Sequence, residues 1–265
     1  MENNIYFMLI GILCVLGFSF VEKIALSSSP KKITKTIQFN KHDTSRLLTS
    51  LIGGFIGLIF NFFLLIYIVE AISPFEVFSI SSWGIPLTLN FVISFLLIDL
   101  LHYLSHRLHH QLPLLWRFHR LHHSENKVDT LTALLHHPFE VISSLVINVI
   151  GYLIFDIPVI AIFYHSCAVL LNAPLTHIRL FLPERFDRFI SVIFVTPNFH
   201  SAHHSLNFKE SNSNFGIIFS FWDILFGTVA KISLSRLLEM KFGIELKQSP
   251  NSCSLREYLI NPFIR

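Results

Sequence analysis

The sequence predicts an all-α integral membrane protein: a helical bundle of about three spans plus a helical hairpin, carrying a histidine-rich helical cap on the cytoplasmic side. Three observations predict it. Apolar residues make up 52% of the 265 residues and charged residues only 14%, against about 25% charged in an ordinary globular domain. The mean hydropathy is +0.58. Fifteen histidines stand beside seventeen Asp plus Glu, and every histidine except His42 falls between His102 and His204.

The same counts exclude other classes. Twenty-eight phenylalanines and ten glycines do not suit a disordered or fibrous chain. A scattered net charge of +3 gives no nucleic-acid footprint. Cys14, Cys167 and Cys253 share no motif spacing and read as packing residues.

The elements follow in order. Residues 5–21 form a slightly short apolar run, read as a retained anchor because no basic stretch precedes it and no Ala-x-Ala pattern follows. Residues 47–69 and 77–98 are uncharged and each long enough to cross the hydrocarbon, which takes about 20 residues. The stretch 141–171 is interrupted at Asp156-Ile157-Pro158, so it reads as a helical hairpin of two short spans or a re-entrant pair. Lys23, Lys31, Lys32, Lys35, Lys41 and Arg46 mark the 22–46 loop as cytoplasmic. The third span then returns the chain to the cytoplasm at Asp99, and the hairpin keeps everything after Asn172 on that side. Three regions result: 1–76, a membrane anchor with a basic loop; 77–230, the histidine-bearing unit; and 231–265, a cytoplasmic tail.

The histidines have metal-ligand spacing. His102, His106 and His110 recur every four residues after Asp99; His119, His122 and His123 form His-x-x-His-His, and His200, His203 and His204 repeat it. Such spacing sets each trio on one helical face. Clustered imidazoles at a bilayer repel when protonated and are costly to bury neutral without partners. A metal removes both difficulties, since neutral imidazole suits iron and zinc. Eight to ten histidines are too many for one ion and right for two. No cysteine accompanies them, and the His-Glu-x-x-His protease pattern is absent. His42 reads as solvated and His165 as a packing residue.

The string from Asp99 to Thr228 resembles the fatty acid hydroxylase superfamily, also called the sterol desaturase family, of membrane di-iron enzymes. It runs through Tyr103, His106-Arg107 and His110, then Pro113-Leu-Leu-Trp116-Arg-Phe-His119-Arg-Leu-His122-His123-Ser124, Leu131-Thr132-Ala133 and His137-Pro138-Phe-Glu140. It continues with His177, Thr196-Pro197-Asn-Phe-His200-Ser-Ala-His203-His204-Ser205, Asn212-Ser-Asn214-Phe-Gly216 and Trp222-Asp223…Phe226-Gly227-Thr228. The resemblance implies ten metal ligands: His106, His110, His119, His122, His123, His137, His177, His200, His203 and His204. Position 173 is Ala where many relatives carry a further histidine. Asp99, His102, Glu140, Asn207, Asn214 and Asp223 are expected to orient ligand imidazoles, and His109 and His136 to be incidental neighbours. Phe215, Phe219, Phe221 and Trp222 either meet the membrane interface or pack internally.

The resemblance further implies two iron ions, with zinc able to substitute in a purified sample, and O₂ as co-substrate. The expected reaction is hydroxylation or desaturation of a sterol, fatty acyl or ether lipid. With no Gly-x-Gly-x-x-Gly fingerprint or Cys-x-x-Cys-His in the chain, the electron donor is expected to be a separate ferredoxin-like or cytochrome-type protein. The rivals are a non-catalytic histidine-rich metal-binding protein, an acyl desaturase of the separate membrane family, and a relative that has lost activity.

Overall fold

The computed structural model describes Gly17 and residues 63–72, 78–244 and 259–263. Apart from Gly17, the expected 5–21 anchor lies outside the described residues, as do the 22–46 loop with His42, Cys14 and Cys253. Of the 47–69 span only the end is described, where residues 63–71 are helical. Among the described residues the fold is helical, with no strand beyond the isolated bridges Phe194–Phe219 and Ser205–Phe242.

Helix α1, Leu87–Gln111, begins about ten residues later than the hydropathy predicts and runs deeper into the histidine region. A short 3-10 turn, Ile80–Trp83, ends at Gly84 with φ 65, and Pro86 then starts the helix. Pro113 ends it, because the residue before a proline is driven out of the helical region and Leu112 is extended. Helix α2, Pro113–His119, follows at once. Helices α3, Pro138–Phe155, and α4, Val159–His177, form the hairpin. Both outrun the apolar stretch read from sequence, because Pro138 starts α3 early and α4 continues to His177. Between them Asp156 takes a left-handed conformation, φ 51, and its carboxylate accepts from the Ser79 hydroxyl at 2.7 Å.

At 1.5 Å per residue, helices of 25, 18 and 19 residues reach roughly 27–38 Å, against a hydrocarbon core of about 30 Å. In their most apolar windows only 28, 17 and 28% of residues are buried, so the apolar remainder faces outward. These three helices are long and apolar enough to cross a membrane. Their inner faces meet in one core of Leu65, Ile80, Ile98, Leu145, Ile157, Ala161 and Ile162. Gly151 lets α3 approach α1: a Cβ there would lie 3.1 Å from the Ile98 side chain.

Polar contacts also tie this bundle together. Asp99 and His165, both buried, bond across α1 and α4 at 2.9 Å, and the Trp222 indole N–H donates to the other Asp99 oxygen at 2.9 Å. His102 stacks on His165 and meets Asn148 of α3 at 3.0 Å. Where lipid offers no hydrogen bonds, such groups hold helices in one register.

The smaller elements form the cap: α5, Glu184–Ile190; α6, Pro197–His203; α7, Phe208–Ser211; α8, Phe221–Phe226; and α9, Leu234–Glu239. Leu237 and Met240 pack on Ala202 of α6, and the Asn261 carbonyl accepts from Arg120 at 2.9 Å. Parts of the 231–265 region therefore pack directly on the histidine-bearing unit.

Asp99→Ala would strand the buried His165 ring and the Trp222 N–H, at a cost of about 1–3 kcal/mol. Thermal unfolding in detergent should show a clear drop for this variant, while Val92→Ala, at an outward-facing position, stays close to the parent.

Candidate metal centre

The histidines come from four places in the chain. His106 and His110 lie one turn apart on α1. His119 ends α2, and His122 and His123 follow in a 3-10 turn. His177 is the last residue of α4. His200 and His203 lie on α6, with His204 as its C-cap; Thr196 caps that helix by accepting the Phe199 N–H, and Pro197 opens it.

These side chains gather into two groups. One holds His106, His110, His119, His123 and His203; the other holds His122, His177, His200 and His204. Within each group the ligand atoms lie within 4.8 Å of one another. Each His-x-x-His-His motif is divided between the groups: its first and last histidines enter one, its middle histidine the other. On the helix that carries His200, His203 and His204, α-helical geometry accounts for this, since i+4 is rotated roughly 40° from i, whereas i+3 falls roughly 60° on the opposite side; in the 119–123 motif the passage from α2 into the 3-10 turn makes the same division. The expectation that each trio shares one face is corrected accordingly.

Hydrogen bonds fix the tautomers. His106 donates from Nδ1 to the Phe215 carbonyl at 2.8 Å, His203 to that of Ser213 at 2.7 Å, and His177 to that of Ala173 at 2.7 Å. His119 Nδ1 lies 2.6 Å from Glu140 Oε1. A carbonyl can only accept, so a neutral ring bonded in this way leaves Nε2 unprotonated. The bare nitrogens of His119 and His203 each lie 3.1 Å from that of His106, and the bare nitrogen of His177 lies 3.0–3.2 Å from Nε2 of His122, His200 and His204. The buried Nε2 of His110 has no hydrogen-bond partner. Burial keeps the rings neutral: it lowers His119, His122, His123, His200 and His204 below the ordinary imidazole value, and brings His203 down to about 3.

Facing lone pairs repel unless a cation lies between them, so the donor set fits a metal in each group.

A model of the fatty acid hydroxylase family matches residues 91–228, just over half of the chain. The chain belongs to the fatty acid hydroxylase family. It is 27% identical over 143 residues to an ornithine lipid hydroxylase of Rhizobium tropici, covering 54% of this chain and 42% of that protein. It is 29% identical over 150 residues to an alkylglycerol monooxygenase of Caenorhabditis elegans, covering 55% and 28%. A very-long-chain aldehyde decarbonylase of Oryza sativa subsp. indica is 30% identical over 156 residues, covering 58% and 59%. The matched region thus spans between about a quarter and three fifths of these relatives. No solved structure matches.

Nine of the ten histidines expected as ligands lie in the two groups. His137 does not. It caps α3, accepting the Phe139 N–H on Nδ1 at 3.1 Å, so its Nε2 carries the proton and turns to the Leu259 carbonyl at 3.4 Å. Pro138 fixes this cap, and with it the direction of the ring. Ala173 supplies a carbonyl to the group from which a histidine is missing at that position.

Of the residues expected to orient ligands, Glu140 does so directly through His119. Asn214 and Asp223 act through the backbone. Asp223 accepts the N–H groups of Phe215 and Gly216 at 2.8 and 2.7 Å, and the Thr228 hydroxyl at 2.6 Å. Asn214, at φ 56, donates to the Phe199 carbonyl and accepts from Ala230. Together they hold the 213–216 strip that offers carbonyls to His203 and His106. The strip leaves no room for a side chain at Gly216, where a Cβ would come within 2.6 Å of the Phe219 carbonyl. Burial raises Asp223 to about 6 against these hydrogen bonds. Asp99 and His102 serve the helix contacts described above, and Asn207 caps α7; none of the three reaches a ligand imidazole.

His136 has a role that its sequence neighbours did not disclose. It stacks on His122 at 4.3 Å and bonds Glu140 at 2.9 Å. Glu140 thus touches His119 of one group and, through His136, braces His122 of the other. The four-residue spacing of His136 and Glu140 was the available signal. Phe215 packs edge-on against His106, His110 and His203, and Phe219 against Phe95, which makes these aromatics internal packing.

Elemental analysis of detergent-purified protein should show metal lost from one group in His203→Ala and from the other in His204→Ala, with both retained in His137→Ala. Glu140→Gln should weaken metal binding by roughly 10–100-fold. Chelator-treated protein should lose stability as pH falls below the ordinary imidazole value of 6.5, because the unfolded rings take up protons that the buried ones refuse. The loss should continue toward about 3, where His203 titrates in the fold. Melting curves across that range would reveal it.

Proposed function

We propose that this chain is a membrane-bound di-iron oxygenase that hydroxylates or desaturates a lipid, using O₂ and electrons from a separate ferredoxin-like or cytochrome-type donor. The observation that carries the reading is the pair of converging Nε2 groups, nine imidazoles in all, at the end of apolar helices. His106, His110, His119, His123 and His203 would hold one iron, and His122, His177, His200 and His204 the other. Two irons bound there would supply the O₂ activation and redox capacity needed to break an unactivated C–H bond.

The chain's own residues provide the rest. Glu140 and the carbonyls of Ser213, Phe215 and Ala173 keep the protons of His119, His203, His106 and His177 on Nδ1, so that the Nε2 of each of these four is free to bind. Phe215 and Trp116 close over the imidazoles and keep bulk water from them. The outward apolar faces of α1, α3 and α4 offer a lipid chain a path along the membrane to the histidines. The basic 22–46 loop supports a cytoplasmic position for the site.

The names of the relatives support lipid oxygenation: an ornithine lipid hydroxylase and an alkylglycerol monooxygenase. Membership of the fatty acid hydroxylase family weighs against the separate acyl desaturases.

Iron-loaded protein in nanodiscs, given reductant and ¹⁸O₂ with total membrane lipid, should produce lipid carrying one ¹⁸O if it hydroxylates, or an unlabelled new double bond if it desaturates. His203→Ala should do neither. Two irons per chain with no O₂-dependent lipid change under any donor tried would leave a metal-binding protein instead.

A further inference from the structure

Helix α5 and the chain that follows it expose an apolar surface that the metal centre does not use. On α5, Phe186, Phe189 and Ile190 fall on one arc, while Glu184, Arg185, Asp187 and Arg188 occupy the other. Phe186 is 65% exposed and Phe189 82%, and the exposed run continues through Val192, Ile193 and Phe194. The polar arc is engaged: Arg188 pairs with Glu184 at 2.7 Å, and Asp187 accepts the Thr196 hydroxyl of the cap. The helix is therefore held to the cap through Asp187, with Glu184, Arg185 and Arg188 exposed and its aromatic side turned away from the protein.

Its surroundings join that side to a helix of membrane-spanning length. The 191–195 segment runs antiparallel to 218–220: Ser220 N–H donates to the Ile193 carbonyl at 3.0 Å and Val195 N–H to that of Ile218 at 3.0 Å. Phe194 packs on Phe219, and Phe219 on Phe95 of α1. Phe95 lies eleven residues before His106, roughly 16 Å along the helix axis toward the apolar interior of the span. The exposed run thus packs, through Phe194 and Phe219, onto a helix that is itself long and apolar enough to cross the membrane.

We propose that residues 184–194 are seated in the bilayer, the Phe186–Phe189–Ile190 face and the Val192–Phe194 run immersed among lipid acyl chains. α5 lies in the plane of the interface, with its charges toward headgroups and water. The cap is then moored to the same membrane at two points, the end of α1 and this segment. The inference is independent of metal content and of turnover.

Site-directed spin labelling in phosphatidylcholine nanodiscs tests it. In a background with Cys14, Cys167 and Cys253 replaced by serine, single nitroxides are introduced as Phe189→Cys and Ile193→Cys, with Arg185→Cys and Lys209→Cys as aqueous references and Val92→Cys as the reference on α1. All five positions are exposed, so packing is undisturbed. The labels at 189 and 193 should collide several-fold more often with O₂ than with a water-soluble nickel chelate, matching Val92, while those at 185 and 209 show the reverse. Preferential access by the nickel chelate at 189 and 193 would overturn the proposal. Low access to both agents with dipolar broadening would also overturn it, in favour of a second copy covering the face. An aqueous label at Val92 as well would sink the proposal together with the spanning role of α1.

Discussion

The structure depends on a repulsion that has to be relieved. His106, His119, His177 and His203 each direct an unprotonated nitrogen at its neighbours, at about 3 Å, inside a cap from which water is largely excluded. This crowding is imposed by acceptors on the far side of each ring: the carbonyls of Ala173, Ser213 and Phe215 and the carboxylate of Glu140. The fold is in effect a device for fixing the protons of these rings on one side, and only a cation makes the other side stable.

Much of this was legible in the sequence. The composition located the chain in the membrane, and the histidine spacing together with the family resemblance named all nine side chains that the fold gathers, with His137 as a tenth that it does not. The way the histidines divide was not read, although it follows from helical rotation; proximity in sequence was taken for a shared face. His137 was carried along by its motif, but its neighbour Pro138 commits the ring to capping a helix. Span limits drawn from hydropathy alone missed the entry of α1, because Gly84 and Pro86, rather than an apolar boundary, determine where that helix begins. They also fell short on the hairpin, whose helices run on into the cap.

Contacts distant in sequence were out of reach for a different reason. His165 looked like an isolated histidine in an apolar run, and its partner Asp99 lies 66 residues earlier, on another helix. The carbonyl acceptors of the 213–216 strip carry no side-chain signature at all. Their presence was hinted at only by Asn214, Gly216 and Asp223, the residues that a strip with one left-handed position, one position too crowded for a Cβ and two clamped N–H groups requires.

The division of each His-x-x-His-His motif has a consequence for assembly. Because one short helical turn contributes to both groups, ordering that turn around a first ion also immobilises donors for the second, so the conformational entropy lost at one group need not be lost again at the other. Were both groups to bind metal, loading would then be cooperative, with singly occupied protein a minor species at intermediate metal supply. The same linkage works across generations: a substitution that displaces either motif disturbs both groups together, so the two are inherited as one unit.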